Sequence, residues 1–325
     1  MRYLVTGSSG HLGEALVRVL REMNEGVIAI DLKPGALTDH VGTIVDPTFV
    51  ARHMRGVTTV LHAATLHKPH VATHSRRDFV DTNITGTLNL LEAATCEAVN
   101  SFVFTSTTST FGDALAPEPG EPAAWITEEV APRPKNIYGI TKLAAEDLCR
   151  LAHRKDGLAC IVLRTSRFFP EEQDAAATRS LYSSENSQVV EFLYRRTDLE
   201  DVVSAHLAAA ERAPQIGFGR YIVSATTPFR ETDLPALRRD AASVVQQYAD
   251  YSDVFSVKGW SMYPSLDRVY VNRRAQEELG WRPRNDFSTV LSRVAAGGAP
   301  LSELAYAVGS KGYHTETFKS GPYPV

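Results

Sequence analysis

Cysteine, net charge and long apolar runs are all scarce in this chain, and each scarcity removes a class of protein. The 325 residues hold three cysteines, Cys96, Cys149 and Cys160, scattered and without a CxxC pair. A disulfide framework or structural zinc site is therefore not expected, and a reducing compartment fits the composition. Thirty-four basic against 38 acidic residues leave a formal charge of −4, too mild to attract nucleic acid or a membrane surface. No apolar stretch reaches the roughly 18 residues that a membrane span needs. Residues 1–7 read as a strand running into a turn, without the charged start, apolar stretch and small-residue cleavage site of a secretory signal. A cytoplasmic protein with no membrane partner is expected.

What remains is ordinary globular composition, 43% hydrophobic and 22% charged, in a chain long enough for a large core or two lobes. Short apolar runs at 3–5, 26–31, 57–63, 101–105 and 158–164 alternate with helical stretches over 13–23, 83–98 and 138–155. Such alternation predicts right-handed βαβ units and a buried parallel sheet. The fold class is α/β: a Rossmann-type doubly wound parallel sheet with a smaller C-terminal α/β substrate lobe. The nucleotide lobe is expected over 1–165, rejoined by about 191–225, with 166–190 and 226–325 forming the substrate lobe. Beyond residue 164 the spacing predicts helices near 199, over 231–249 and 272–279, a strand over 220–224, and an extended arm over 310–325. The proline-rich segment 112–136 reads as a long loop ordered by its context.

Between the first strand and first helix lies Thr6-Gly7-Ser8-Ser9-Gly10-His11-Leu12-Gly13. Glycine lets the backbone turn sharply and approach a pyrophosphate, and the last glycine lets helix pack on strand. Ser9, His11 and Leu12 would join Gly7, Gly10 and Gly13 in presenting backbone to the phosphates at a positive helix end. Asp31 closes the second strand, 18 residues beyond Gly13, near the roughly 20-residue spacing of the acid that binds a ribose 2′-hydroxyl. An acid there repels a 2′-phosphate, so NAD is expected ahead of NADP, with Lys33 keeping the latter open. Asp46, after an expected strand at 43–45, reads either as an acceptor for the adenine amino group or as a helix cap before Pro47. Ala63 and Ala64 leave room for a dinucleotide at the sheet edge.

Tyr138 and Lys142 stand four apart, on one helix face. A free phenol titrates near pH 10 and is a poor base at neutral pH. A neighbouring ammonium and an oxidised nicotinamide would each lower that value, letting Tyr138 take a hydroxyl proton as hydride leaves.

Together these segments resemble the extended short-chain dehydrogenase/reductase superfamily, in its NAD-dependent epimerase/dehydratase family of sugar epimerases. The resemblance is carried by residues 6–13, Asp31, His62-Ala63-Ala64, 81–87, 105–112, 138–142 and Leu279-Gly280-Trp281-Arg282-Pro283. It implies a Thr107–Tyr138–Lys142 triad, in which Thr107 orients the substrate oxygen, Tyr138 moves the proton and Lys142 holds the nicotinamide ribose. It further implies that Asn83 supports the helix behind the site, and that two copies pair into a homodimer. Thr108-Ser109 stand where family dehydratases carry Asp-Glu, which disfavours dehydration. Arg167 stands where sugar-nucleotide members usually carry asparagine, and a guanidinium there grips a carboxylate or phosphate in forked geometry.

Arg195 and Arg196 are second candidates for that grip, and His67 and Thr108 for other substrate contacts. His67, His70 and His74 lack a carboxylate at ligand spacing, so no metal is expected. The reading is an NAD-dependent enzyme acting on a sugar or sugar-nucleotide hydroxyl, most simply an epimerase working through a keto intermediate. A net dehydrogenase of a sugar or other secondary alcohol, and a non-catalytic NAD-sensing protein, are the alternatives.

Overall fold

The computed structural model describes residues 1–171 and 176–312. A strand β1 (Arg2–Thr6) enters helix α1 (His11–Glu22), followed by β2 (Gly26–Asp31), the short β3 (His40–Val41), α2 (Pro47–Met54) and β4 (Thr59–His62). A four-residue helix α3 (Arg76–Phe79) runs through a π-turn (Val80–Thr85) into α4 (Gly86–Cys96), and β5 (Ser101–Thr107) follows. After β6 (Ala124–Ile126) come α5 (Ile137–Asp156), β7 (Cys160–Thr165), α6 (Ala176–Leu181), α7 (Ser184–Glu191), α8 (Leu199–Ile216) and β8 (Phe218–Val223).

Seven strands form one sheet in the order β3-β2-β1-β4-β5-β7-β8, every pair parallel. Successive strand side chains point to opposite faces, and the core divides accordingly. Val5, Val103 and Ile161 pack with Leu16 and Leu20 of α1 and Val202 and Ala209 of α8. Leu4, Phe102 and Val162 pack on the other face with Leu90 and Leu91 of α4 and Cys149 of α5. Strand order reverses between β1 and β4, which opens a crevice at their carboxyl ends.

Three expectations need correction. Residues 43–45 are a turn rather than a strand, held by Asn89 Nδ2, which donates to the carbonyls of Ile44 and Val45 at 3.0 and 2.9 Å. The proline-rich loop contains β6, which pairs in parallel with β9 (Arg268–Tyr270) as a second, two-stranded sheet. The helix expected over 231–249 is broken into short pieces, Leu234–Leu237 and Ala241–Gln246. Pro235 sits in the first turn of one piece, and Asp240 restarts the chain by accepting from Ser243 N at 3.1 Å. Of the arm expected over 310–325, residues 313–325 lie outside the described residues. No described helix is long and apolar enough to cross a membrane.

Candidate active site

Two glycines make the crevice possible. Gly7 has φ +75°, and a Cβ there would lie 2.7 Å from Ala64 N. At Gly13 a Cβ would fall inside the Gly7 carbonyl, so helix and turn meet only without a side chain. No side chain caps Gly10, the residue before α1, and the first-turn N–H groups are left to a ligand. Asp31 reaches this turn from the end of β2: one carboxylate oxygen accepts from Ser9 N at 3.0 Å, the other from Lys33 N at 2.8 Å. A close glycine cradle, an uncapped positive helix end and an acid at the second strand's tip fit a dinucleotide. Asp46 is a helix cap, accepting from Thr48 N at 2.8 Å.

Behind the cradle, polar groups lock the strand ends. His62 is buried, with Nδ1 2.8 Å from Thr6 Oγ1 and Nε2 3.0 Å from Thr87 Oγ1. Burial pushes its imidazole well below the usual range, so it is neutral at pH 7. Asn83, inside the π-turn, bridges two segments. Its Oδ1 accepts from Leu66 N at 2.8 Å, and its Nδ2 donates to Leu66 O at 3.1 Å and Thr141 Oγ1 at 3.0 Å. It thereby ties the segment after β4 to α5, one residue before Lys142.

Asn136 caps α5 by accepting from Gly139 N at 3.1 Å, placing Tyr138 in the first helical turn and Lys142 one turn later. Both side chains are buried. Thr107, the last residue of β5, lies close enough to the Tyr138 phenol to favour its deprotonation. Its Oγ1 accepts from Ser109 N at 3.1 Å. The proton chemistry departs from expectation. Burial pushes the Tyr138 phenol up to about 12, opposed by Thr107. Lys142 does not offset this, because burial pushes its own ammonium down to about 7. Its Nζ lies 4.0 Å from the centre of the Phe104 ring.

A cleft of about 360 Å³ runs from the glycine cradle past Tyr138. Gly7, Gly10, Leu12, Gly13, Ala63, Thr107 and Thr108 line it with Tyr138. His67 joins them, its ring 6.1 Å from that of Tyr138 and 5.9 Å from Phe169. Burial pushes the His67 imidazole down to about 3, so it meets a ligand neutral. Among the described residues no three side chains converge as metal ligands.

Arg167 and Arg195 also line the cleft, and Arg196 does not. Arg196 is 1% exposed, its Nε donating to Glu191 Oε2 at 2.8 Å and its Nη1 to Phe169 O at 2.9 Å. Of the two neighbours, Arg195 therefore lines the cleft and Arg196 braces its wall. Sequence reasoning missed Arg268, Ser166 and Glu171. Arg268 reaches the cleft through the β6–β9 pairing, which no local pattern announces. Glu171 Oε1 lies 2.7 Å from His11 Nε2.

The family model described as "NAD dependent epimerase/dehydratase family" matches residues 3–222. The chain belongs to that family. It is 31% identical over 171 residues to a UDP-glucose 4-epimerase of Streptomyces lividans, covering 49% of this chain and 50% of that protein. A dTDP-glucose 4,6-dehydratase of Streptomyces antibioticus is 28% identical over 327 residues, covering 90% of this chain and 91% of that one. The chain spans half the length or less of several curated relatives, that epimerase among them. Among solved structures, a short-chain dehydrogenase/reductase superfamily protein from Agrobacterium tumefaciens with bound NAD superposes with TM-score 0.66 at 22% identity. It covers 91% of this chain and 96% of that one, and the likeness extends the fold assignment to the whole sheet.

Proposed function

We propose that this family member uses NAD to epimerise a sugar or sugar-nucleotide hydroxyl through a keto intermediate. The observation that carries the reading is the meeting of Thr107 and Tyr138 in the cleft that opens from the glycine cradle. Gly7, Ser9, Gly10, His11, Leu12 and Gly13 would hold the pyrophosphate, Asp31 the adenosine ribose, and Lys142 the nicotinamide ribose. Bound there, NAD supplies a hydride acceptor that afterwards serves as donor.

The chain's own part is proton control. Tyr138 takes the proton from the substrate hydroxyl as the carbon loses its hydride, and Thr107 holds that oxygen in line. With the phenol pushed up to about 12, the deprotonated fraction near neutrality is small. It rises about tenfold per pH unit until the phenol is titrated. Placement in the first turn of α5 favours phenolate through the helix dipole. Returning the proton to the same oxygen completes an epimerisation when the keto group has turned its other face. Thr108 and Ser109 offer no carboxylic acid–base pair for loss of water, which supports epimerisation over dehydration. Exposed Leu88 on α4 and Ile140 and Leu151 on α5 support pairing of two copies across those helices.

Tyr138→Phe tests the assignment. Turnover is expected to fall about 10³-fold while nucleotide affinity, read by calorimetry, stays unchanged. An epimer appearing without accumulation of reduced cofactor supports the epimerase. Stoichiometric reduced cofactor instead makes the protein a net dehydrogenase. Full activity in the phenylalanine variant removes Tyr138 from the chemistry.

A further inference from the structure

Three guanidinium groups from separate segments, Arg167, Arg195 and Arg268, line the cleft that holds Tyr138, and Arg167 Nη2 donates to Glu171 O at 2.7 Å. Arg167 lies two residues past the end of β7 and forms a bridge with Arg196, beside Arg195. Tyr270 N donates to Tyr194 O at 3.1 Å, joining β9 to the segment that carries Arg195. Arg268 and Arg195 therefore flank one joint. The side chains of Arg167, Arg195 and Arg268 are 13%, 24% and 15% exposed, so what they present, they present to the cleft. Glu191 takes one edge of Arg167 at 3.7 Å and one of Arg195 at 2.6 Å. Arg268 Nη1 donates to Asp267 at 2.9 Å and to Leu115 O at 3.4 Å.

Two buried donors here have no hydrogen-bond partner: Arg268 Nε and the hydroxyl of Ser166, a residue 3% exposed. Both residues line the cleft. An unsatisfied buried donor costs about 1–3 kcal/mol. Both atoms are closed off from solvent, so a molecule with acceptor oxygens offsets that cost once a side-chain shift opens them.

Strand register relates these residues to Thr107. Thr107 pairs with Thr165 across β5 and β7, on strands about 5 Å apart. Ser166 and Arg167 are the next two residues, so their backbone follows directly on the strand beside Thr107. The cleft volume of about 360 Å³ is at the low end for ligand sites, roughly 300–1,000 Å³. It has to admit part of the cofactor as well.

We propose that the substrate is an acidic monosaccharide, whose carboxylate or phosphate oxygens are gripped by Arg268, Arg167, Arg195 and Ser166 without any nucleotide. The proposal rests on the hydride-transfer reading for which hydroxyl reacts, but the anion grip is measurable without turnover. Planar, forked donors suit carboxylate and phosphate oxygens alike, so both belong in the test.

The experiment titrates the full chain carrying Tyr138→Phe, with NADH present, against D-glucuronate, glucose 6-phosphate, D-glucose and UDP-glucose in a calorimeter. Glucuronate or glucose 6-phosphate is expected to bind, the better of the two naming the anion, and glucose is expected to bind at least tenfold more weakly. Adding Arg268→Met should weaken the acid about 10²-fold. Ser166→Ala should weaken it about fivefold, and it leaves every ion pair intact should the arginine variant fold poorly. Equal affinity for glucose, tighter binding of UDP-glucose, no binding of either acid, or indifference to both substitutions each overturns the proposal. Should the acid bind through Arg268 yet never be turned over by the unsubstituted enzyme, the hydride-transfer reading fails and the anion grip stands. Turnover of neutral sugars alone gives the reverse.

Discussion

At the glycine end of the cleft the working residues are neighbours in the chain, all within the single turn from Gly7 to Gly13, with Asp31 one strand away. At the arginine end they come from three segments, around residues 167, 195 and 268, and meet only because β9 pairs with β6 and Tyr270 bonds to Tyr194. One end is specified by local backbone geometry. The other is specified by tertiary packing, with Arg167 and Arg195 on the fully buried Glu191 and Arg268 on Asp267. Breaking each should look different: a local clash at the first, and a redistribution of buried charge at the second.

The largest expected effect is at Glu191. Burial alone would raise its carboxyl, yet Arg195, Arg196 and Arg167 hold it down at about 2. Replacing Glu191 with Gln leaves buried guanidinium charge uncompensated, at a cost of about 3–5 kcal/mol, measurable by urea denaturation. The same carboxylate gives the arginine end a pH signature. Its folded value lies below the unfolded one, so its contribution is fully present above about pH 4.5. That contribution is lost as pH falls through about 2. Acid denaturation of the Gln variant should be flatter over this window than that of the unsubstituted protein. If the two curves are parallel, Glu191 is not the charge that organises this end.

Next in size is Gly13→Ala. The new methyl meets the Gly7 carbonyl, backbone against backbone, so the helix has to move off the strand by overpacking at about 1–3 kcal/mol. Nucleotide affinity should fall far more than that stability change implies, because in the proposed binding mode the displaced helix end carries the N–H groups that would meet the phosphates. Calorimetry with NAD, set beside denaturation, separates the two. Equal losses would mean that the cradle tolerates displacement, and the contrast between the ends would weaken.

The same contrast explains what was legible beforehand. Strand–helix alternation and the glycine turn are short-range patterns, and the sheet and the crevice could be read from them, whereas Thr107 stands out only through the family resemblance. Electrostatics could not. The four-residue spacing of Tyr138 and Lys142 suggested an ammonium lowering a phenol, but spacing carries no burial. Desolvation pushes the phenol to about 12 and the ammonium to about 7. Adjacency misled at Arg195-Arg196 too, since which one faces the cleft depends on Glu191 and the Phe169 carbonyl. Arg268 offered no signal, because its importance is created by a strand pairing between residues 124–126 and 268–270.

The smallest predicted effect probes whether the glycine end discriminates by charge or by backbone alone. Asp31 receives two backbone N–H groups, from Ser9 and Lys33, so its carboxylate shapes the turn, and in the proposed binding mode it would also set negative charge against a 2′-phosphate. Asp31→Asn removes the charge and keeps one acceptor oxygen. Affinity for NADP is then expected to rise about tenfold relative to NAD, the scale of one unit-charge repulsion at partly exposed contact distance. The gain should shrink in high salt because the site is near solvent. Calorimetric titration with each nucleotide at two ionic strengths reads both quantities. An unchanged ratio would mean that Asp31 serves the turn and not selection, leaving Lys33 free to accept the phosphate. The glycine end would then recognise its ligand by backbone geometry, and charge-based recognition in this molecule would be confined to the arginines.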